Sequence, residues 1–178
     1  IYIRCKVTLI VVMSQIMAVF FLDMSLIICN FDSQKHVFRA IMEDFVHLHV
    51  HTHYSILDGQ SKVPHLVDKA IADGMRGMAL TDHGVMYGVK ELADYCAGIN
   101  KKRAKEGLEP FKPIFGCEMY VARHRKEDKV KENGDNSGYH LIVLAKNYHG
   151  YKNLIKLVSR AWTDGYYYRP RTDRADLE

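Results

Sequence analysis

The sequence predicts an α/β protein with a largely parallel sheet, and three observations carry that prediction. From Phe45 onward the apolar pattern switches repeatedly between a period of two and a period near 3.6. The resulting order is strand, helix, strand, helix, strand, strand, helix, the alternation that builds helices around a sheet. Titratable residues collect at the ends of the predicted strands, where side chains of neighbouring parallel strands converge on one crevice. A closed β/α barrel needs about 250 residues. A chain of 178 residues can therefore supply part of one.

Each element has a local justification. In FVHLHVHTHYSILDG, Val46, Leu48 and Val50 alternate with His47, His49, His51 and His53, which predicts a strand with the imidazoles on one face. SKVPHLVDKAIADG predicts a helix, with Ser61 as N-cap, an apolar stripe of Val63, Leu66, Val67, Ala70 and Ile71, and Gly74 as the stop. GMALTDHG is a short buried strand entering a polar turn. Val89, Leu92, Ala93, Cys96 and Ile99 mark a second helix that ends in the solvated run KKRAKEG. Pro113 to Val121 is the third strand. ARHRKEDKVKENGDNSG is a charged loop with Asn-Gly and Ser-Gly turn signals, long enough for a crossover or a hairpin. YHLIVLA is the fourth strand, and Asn147 caps a helix bearing Tyr151, Leu154, Ile155, Val158, Ala161 and Trp162.

The first 41 residues differ in character. Val7 to Leu22 carries no charge and follows Arg4 and Lys6, the pattern of a signal or membrane segment. The run is shorter than the ~20 residues that span a bilayer, and Asp23 interrupts it. Met42 stands immediately before the first strand. The expectation is that the domain starts at Met42, that residues 1–41 are translated upstream sequence or disordered, and that no membrane is involved.

The net charge of +4 is mild, and counting from Met42 leaves 21 basic against 19 acidic residues. Any nucleic-acid contact must then come from a local patch. Cys5, Cys29, Cys96 and Cys117 lack C-x-x-C spacing and read as reduced thiols of a cytoplasmic protein.

The chemistry is concentrated at the strand ends. The histidine row is followed by Asp58. His83 follows the second strand beside Asp82, Glu118 interrupts the apolar third strand, and His140 opens the fourth. Neutral imidazole and carboxylate are ligands for zinc, manganese and iron, and a metal held this way can generate hydroxide at neutral pH and clamp a phosphate oxygen. Glu118 and His140 join such a site only if strand direction and length allow. Taken singly, each residue is better read as a turn, cap or polar surface residue. Together, at successive strand ends, they favour a metal site. His47 and His53 are candidates for holding the ligands by hydrogen bonds, and so is Asp82. His36, His65, His124 and His149 read as surface residues. GYYYRPRTDR mixes rings with Arg169, Arg171 and Arg174, which suits contact with DNA or, equally, a polar loop ordered against the domain.

HLHVHTHYSILDG, then ALTDHG, GCEMYVA and YHLIVLAKN, resemble the PHP domain, the polymerase and histidinol phosphatase family. FKPIFGCEMYVA and LVSRAWTDGYYYRPRTD extend the resemblance to the replicative-polymerase branch of that family, over Met42 to Glu178. It implies a distorted (β/α)7 barrel, of which residues 42–178 are the amino-terminal part, and a multinuclear divalent metal site of zinc or manganese. By position the ligands would be His49, His51, Asp58, His83, Glu118 and His140, with further ligands, including a D-x-H motif, beyond Glu178. The implied parent is a DNA-directed DNA polymerase of bacterial replication, with DNA, a sliding clamp and a proofreading subunit as partners. The PHP part would be a 3′→5′ proofreading exonuclease, and this stretch alone would not polymerise. Two alternatives are a non-catalytic, metal-stabilised module that docks the proofreading subunit, and a free-standing PHP phosphatase.

Overall fold

A computed structural model describes residues 9–12, 45–129 and 138–178. The expectations for the leader fall largely outside these. Leu9–Val12 forms strand β1, paired antiparallel with β4 from Leu9↔Ala145 to Val12↔Ile142. The remaining elements are α1 (Val63–Ala72), β2 (Gly77–Leu80), α2 (Val89–Lys105), β3 (Lys112–Val121), β4 (Tyr139–Ala145), α3 (Tyr148–Thr163), β5 (Arg171–Thr172) and α4 (Arg174–Leu177). Among the described residues, no helix is long and apolar enough to cross a membrane.

The helices follow their sequence signals closely. Pro64 lies in the first turn of α1, where its missing N–H costs nothing. Val63, Val67 and Ala70 are buried, and Gly74 leaves the helix at φ +84°, a conformation open to glycine. Lys62, not Ser61, occupies the N-cap position of α1 and makes no side-chain cap, while the Ser61 carbonyl accepts from the His53 N–H. In α2, Val89, Leu92 and Cys96 face inward, and Lys102, Arg103 and Lys105 occupy the last turn, where positive charge favours the helix dipole. Asn147 caps α3 by accepting from the Gly150 N–H at 2.9 Å.

The sheet is mixed, which corrects the expectation of a largely parallel one. Its order is β1-β4-β3-β2, with β5 also beside β3. β3 runs parallel to β2 and β5 and antiparallel to β4. The charged loop between β3 and β4 thus joins two antiparallel strands, the hairpin alternative. β3 is long enough to serve three neighbours in turn. Lys112 to Phe115 pair with β2, Gly116 to Val121 with β4, and Tyr120 and Val121 with β5.

A second correction concerns the histidine segment. Residues 45–51 run beside β2, with the Ala79 N–H donating to the His47 carbonyl and the Thr81 N–H to the Val50 carbonyl. They form no regular strand, because the chain bends at Leu48 and His49. Leu48 packs with Ala79, Ile114, Ile142 and Leu144, whereas Val50 packs with the cluster built on α1 and α2. The bend breaks the shared face that strict alternation requires. Beyond it, the Val50 N–H donates to Thr81 Oγ1 rather than to a ladder carbonyl.

The pleat places the site. Cys117 and Met119 of β3 and Val143 of β4 pack with Leu154, Leu157, Val158 and Ala161 of α3. The opposite face carries Ile114 and Glu118 of β3 and His140, Ile142 and Leu144 of β4. That face is apolar at one end and titratable at the other.

Candidate metal centre

Glu118 stands at the middle of the titratable end, 3% exposed. Its backbone is locked to the neighbouring chain segment. The Glu118 N–H donates to the Asp82 carbonyl at 3.1 Å, and the Gly84 N–H donates to the Glu118 carbonyl at 2.8 Å. This parallel bridge fixes His83 beside Glu118. The antiparallel register sets His140 opposite Tyr120, so the beginning of β4 reaches the far end of β3. Strand direction and length thus bring both residues to the crevice.

The six ligand candidates come together. Glu118 Oε2 lies 2.7 Å from His49 Nε2 and 2.9 Å from His51 Nε2, and those two nitrogens are 2.9 Å apart. Glu118 Oε1 contacts His140 Nδ1. Asp58 Oδ2 is 2.6 Å from His83 Nε2. Three overlapping groups result: His49, His51 and Glu118; His51, Asp58 and His83; and His83, Glu118 and His140. Within each, the ligand atoms lie within 4.8 Å of one another.

Buried hydrogen bonds orient this set. Asp82, fully buried, accepts from the Thr52 N–H at 2.6 Å, the Thr52 hydroxyl at 2.8 Å and the Ser55 hydroxyl at 2.7 Å. With its proton committed to Asp82, Ser55 Oγ can only accept from the His83 N–H and from His51 Nδ1, each at 3.1 Å. His51 therefore carries its proton on Nδ1 and turns the Nε2 lone pair toward Glu118.

The donor set fits a cation. The His51 Nε2 lone pair faces a carboxylate oxygen at 2.9 Å, acceptor against acceptor. His83 repeats the pattern. Its Nε2 is engaged with Asp58, and its Nδ1 is buried without a hydrogen-bond partner, 3.5 Å from Glu118 Oε2. Two ligands that each stand about 2.0–2.2 Å from one ion lie roughly 2.8–3.6 Å apart, from octahedral to tetrahedral arrangement, and the 2.9 Å and 3.5 Å spacings fall in that range.

The electrostatics agree. Burial alone would raise the Glu118 carboxyl, but hydrogen bonds from His49 and His140 and the charge of His83 hold it below the usual range. Burial and the neighbouring His83 push the His51 imidazole down. The hydrogen bond and charge of His83 lower Asp58.

The other candidates are distributed differently. The Asp82 carboxylate contacts none of the six ligand candidates and is joined to His51 through the Ser55 hydroxyl. His47 and His53 are exposed, and their rings lie against Phe45 and Tyr54. Arg171 is 4% exposed and donates to the carbonyls of Gly165, Asp128 and Lys126, so it belongs to the frame of the domain and not to a free contact surface. Arg174 pairs with Glu178 at 2.7 Å, and Arg169 lies over the Tyr120 ring. Sequence reasoning missed Ser55 and Thr52, two small polar residues in a turn with nothing to distinguish them. It also missed Tyr120, which resembles a core aromatic and stands 4.9 Å from the His140 ring.

A crevice of four imidazoles and two carboxylates at the ends of sheet strands defines a class, a protein domain able to hold divalent metal. Comparison with known families matches residues 47–178 to the PHP domain, and the chain belongs to that family. It is 45% identical over 134 residues to the DNA polymerase III subunit alpha of Borreliella burgdorferi, covering 75% of this chain and 11% of that protein. The Treponema pallidum subunit is 46% identical over 129 residues, covering 72% of this chain and 10% of that protein. The Thermus aquaticus subunit is 41% identical over 136 residues, with 75% and 10% covered. The chain thus spans about a tenth of the length of these relatives.

Proposed function

We propose that this chain is the amino-terminal PHP region of a bacterial replicative polymerase alpha subunit, and that its crevice is a metal-dependent phosphoesterase acting as a 3′→5′ exonuclease. The supporting observation is the Glu118 cluster, where lone pairs of His51 and Glu118 oppose each other at 2.9 Å in a way that a cation would reconcile. His49, His51, Asp58, His83, Glu118 and His140 would hold the metal, zinc or manganese by donor type. Bound there, a divalent ion supplies Lewis-acid polarisation of a phosphoryl oxygen and a lowered pKa for water.

The chain's own residues do the rest. Asp82 and Ser55 fix the His51 tautomer, so Nε2 is available as a ligand without a proton to displace. The bridge between His83 and Glu118 holds two ligands on adjacent backbones. In this reading the described sheet is part of a distorted (β/α)7 barrel in a cytoplasmic replication protein, with DNA, a sliding clamp and a proofreading subunit as partners of the whole.

The test is a nuclease assay on the native polypeptide with a single-stranded substrate labelled at its 3′ end, with and without chelator. Metal-dependent release of nucleotides, abolished by combining His51→Ala with Asp58→Ala, is the expected result. Undiminished activity in that double variant contradicts the catalytic role.

A further inference from the structure

The structure separates the three arginines of GYYYRPRTDR into different roles. Arg171 is buried in the frame, and Arg174 pairs with Glu178. Arg169 is exposed, its Cζ 5.5 Å from the centroid of the Tyr120 ring. Tyr120 itself is buried, with its ring 4.9 Å from that of His140 and 6.2 Å from that of His83. The guanidinium therefore reaches the rim of the crevice across a single aromatic ring. Among the described residues, no carboxylate or carbonyl pairs with it.

The turn that carries Arg169 is braced. The Tyr167 N–H donates to the Arg169 carbonyl at 3.0 Å, and between them Tyr168 adopts φ +60°, unusual for a residue other than glycine. Such a conformation persists only where the surroundings impose it. Here Pro170 packs on Gly84, the residue after His83. A methyl group added at Gly84 would stand 2.6 Å from Pro170 Cγ, and its φ of +62° also favours glycine. Trp162 Nε1–H donates to the Gly84 carbonyl at 2.9 Å, and Arg171 anchors the other side of the turn. Arg169 is thus presented on a clamped turn, against a ring that orients its plane and leaves its N–H donors free.

We propose that Arg169 is a phosphate-positioning residue of the crevice, binding an anionic phosphate group presented to the ligand cluster. This rests on the metal reading above. The chemistry is that of a fixed guanidinium, which meets phosphate oxygens through paired charge-assisted hydrogen bonds. The phosphate could belong to a phosphodiester strand or to a small monoester.

The experiment measures binding of inorganic phosphate and of a dithymidine phosphodiester to the native polypeptide by calorimetry, with metal content determined on the same samples. Arg169→Ala is expected to weaken phosphate binding about tenfold at unchanged metal content. Arg169→Lys should restore part of it, and Lys152→Ala, an exposed charge on α3, should change nothing. Parallel loss for the dinucleotide supports a diester as ligand, while loss for inorganic phosphate alone supports a monoester. Wild-type phosphate affinity in Arg169→Ala, at equal metal content, overturns the proposal. A wild type without metal overturns the reading beneath it and the proposal too, and the metal content alone reveals that case.

Discussion

The Ser55 hydroxyl lies 2.7 Å from Oδ1 of Asp82, and this single bond decides which nitrogen His51 offers to the crevice. Asp82 is fully buried and takes the only proton that Ser55 can give. Removing either partner leaves all six ligand candidates in place and frees the tautomer. Ser55→Ala and Asp82→Ala should each lower metal affinity about 10–100-fold. Competition with a chelator of known affinity reads the change directly. Unchanged affinity in both variants would remove the relay from the account.

Acid should destabilise the metal-free chain. Glu118 and Asp58 are held below their ordinary values of 4.5 and 3.8, so the stability they contribute is present above those values and is lost as pH falls through the folded-state values beneath them. The His51 imidazole is also lowered from 6.5, so the folded state favours its neutral form, and that advantage is lost as pH falls below 6.5. All three act in one direction. Urea midpoints measured with chelator should fall from pH 7.5 to 5.5 and further toward 3.5. A midpoint that rises on acidification would contradict the assignment.

Arg171→Ala should cost about 2–4 kcal/mol, because it leaves the carbonyls of Gly165, Asp128 and Lys126 without their donor. Lysine cannot replace a guanidinium that serves three carbonyls, so Arg171→Lys should recover little. Denaturant unfolding of both variants checks this, and a loss below about 0.5 kcal/mol would mean that the arginine is not part of the frame.

Asn147→Ala removes an acceptor that satisfies the Gly150 N–H at the start of α3. The expected cost is about 1 kcal/mol. Asn147→Asp should keep most of the stability, which separates loss of the cap from loss of the amide. Thermal unfolding of the pair is sufficient.

What was legible in the sequence was local. Gly74, Asn147 and the apolar stripes mark helices by short-range rules, and His83, Glu118 and His140 stand out as polar residues at predicted strand ends. What was not legible depended on neighbours remote in the chain. The bend at Leu48 and His49 arises because Leu48 and Val50 pack into different clusters. The antiparallel course of β4 depends on where the loop after β3 returns. Arg171 and Arg169 are one proline apart in identical chemistry, yet Arg171 is buried against three carbonyls and Arg169 is exposed over the Tyr120 ring.

The most direct test of the central claim is the metal content of the native polypeptide, measured by mass spectrometry after growth with zinc and manganese and extensive dialysis. The account predicts at least one tightly held divalent ion in the wild type, lost in Glu118→Gln while the circular dichroism spectrum is retained. A metal-free wild type, or equal metal in the Glu118→Gln variant, would contradict it.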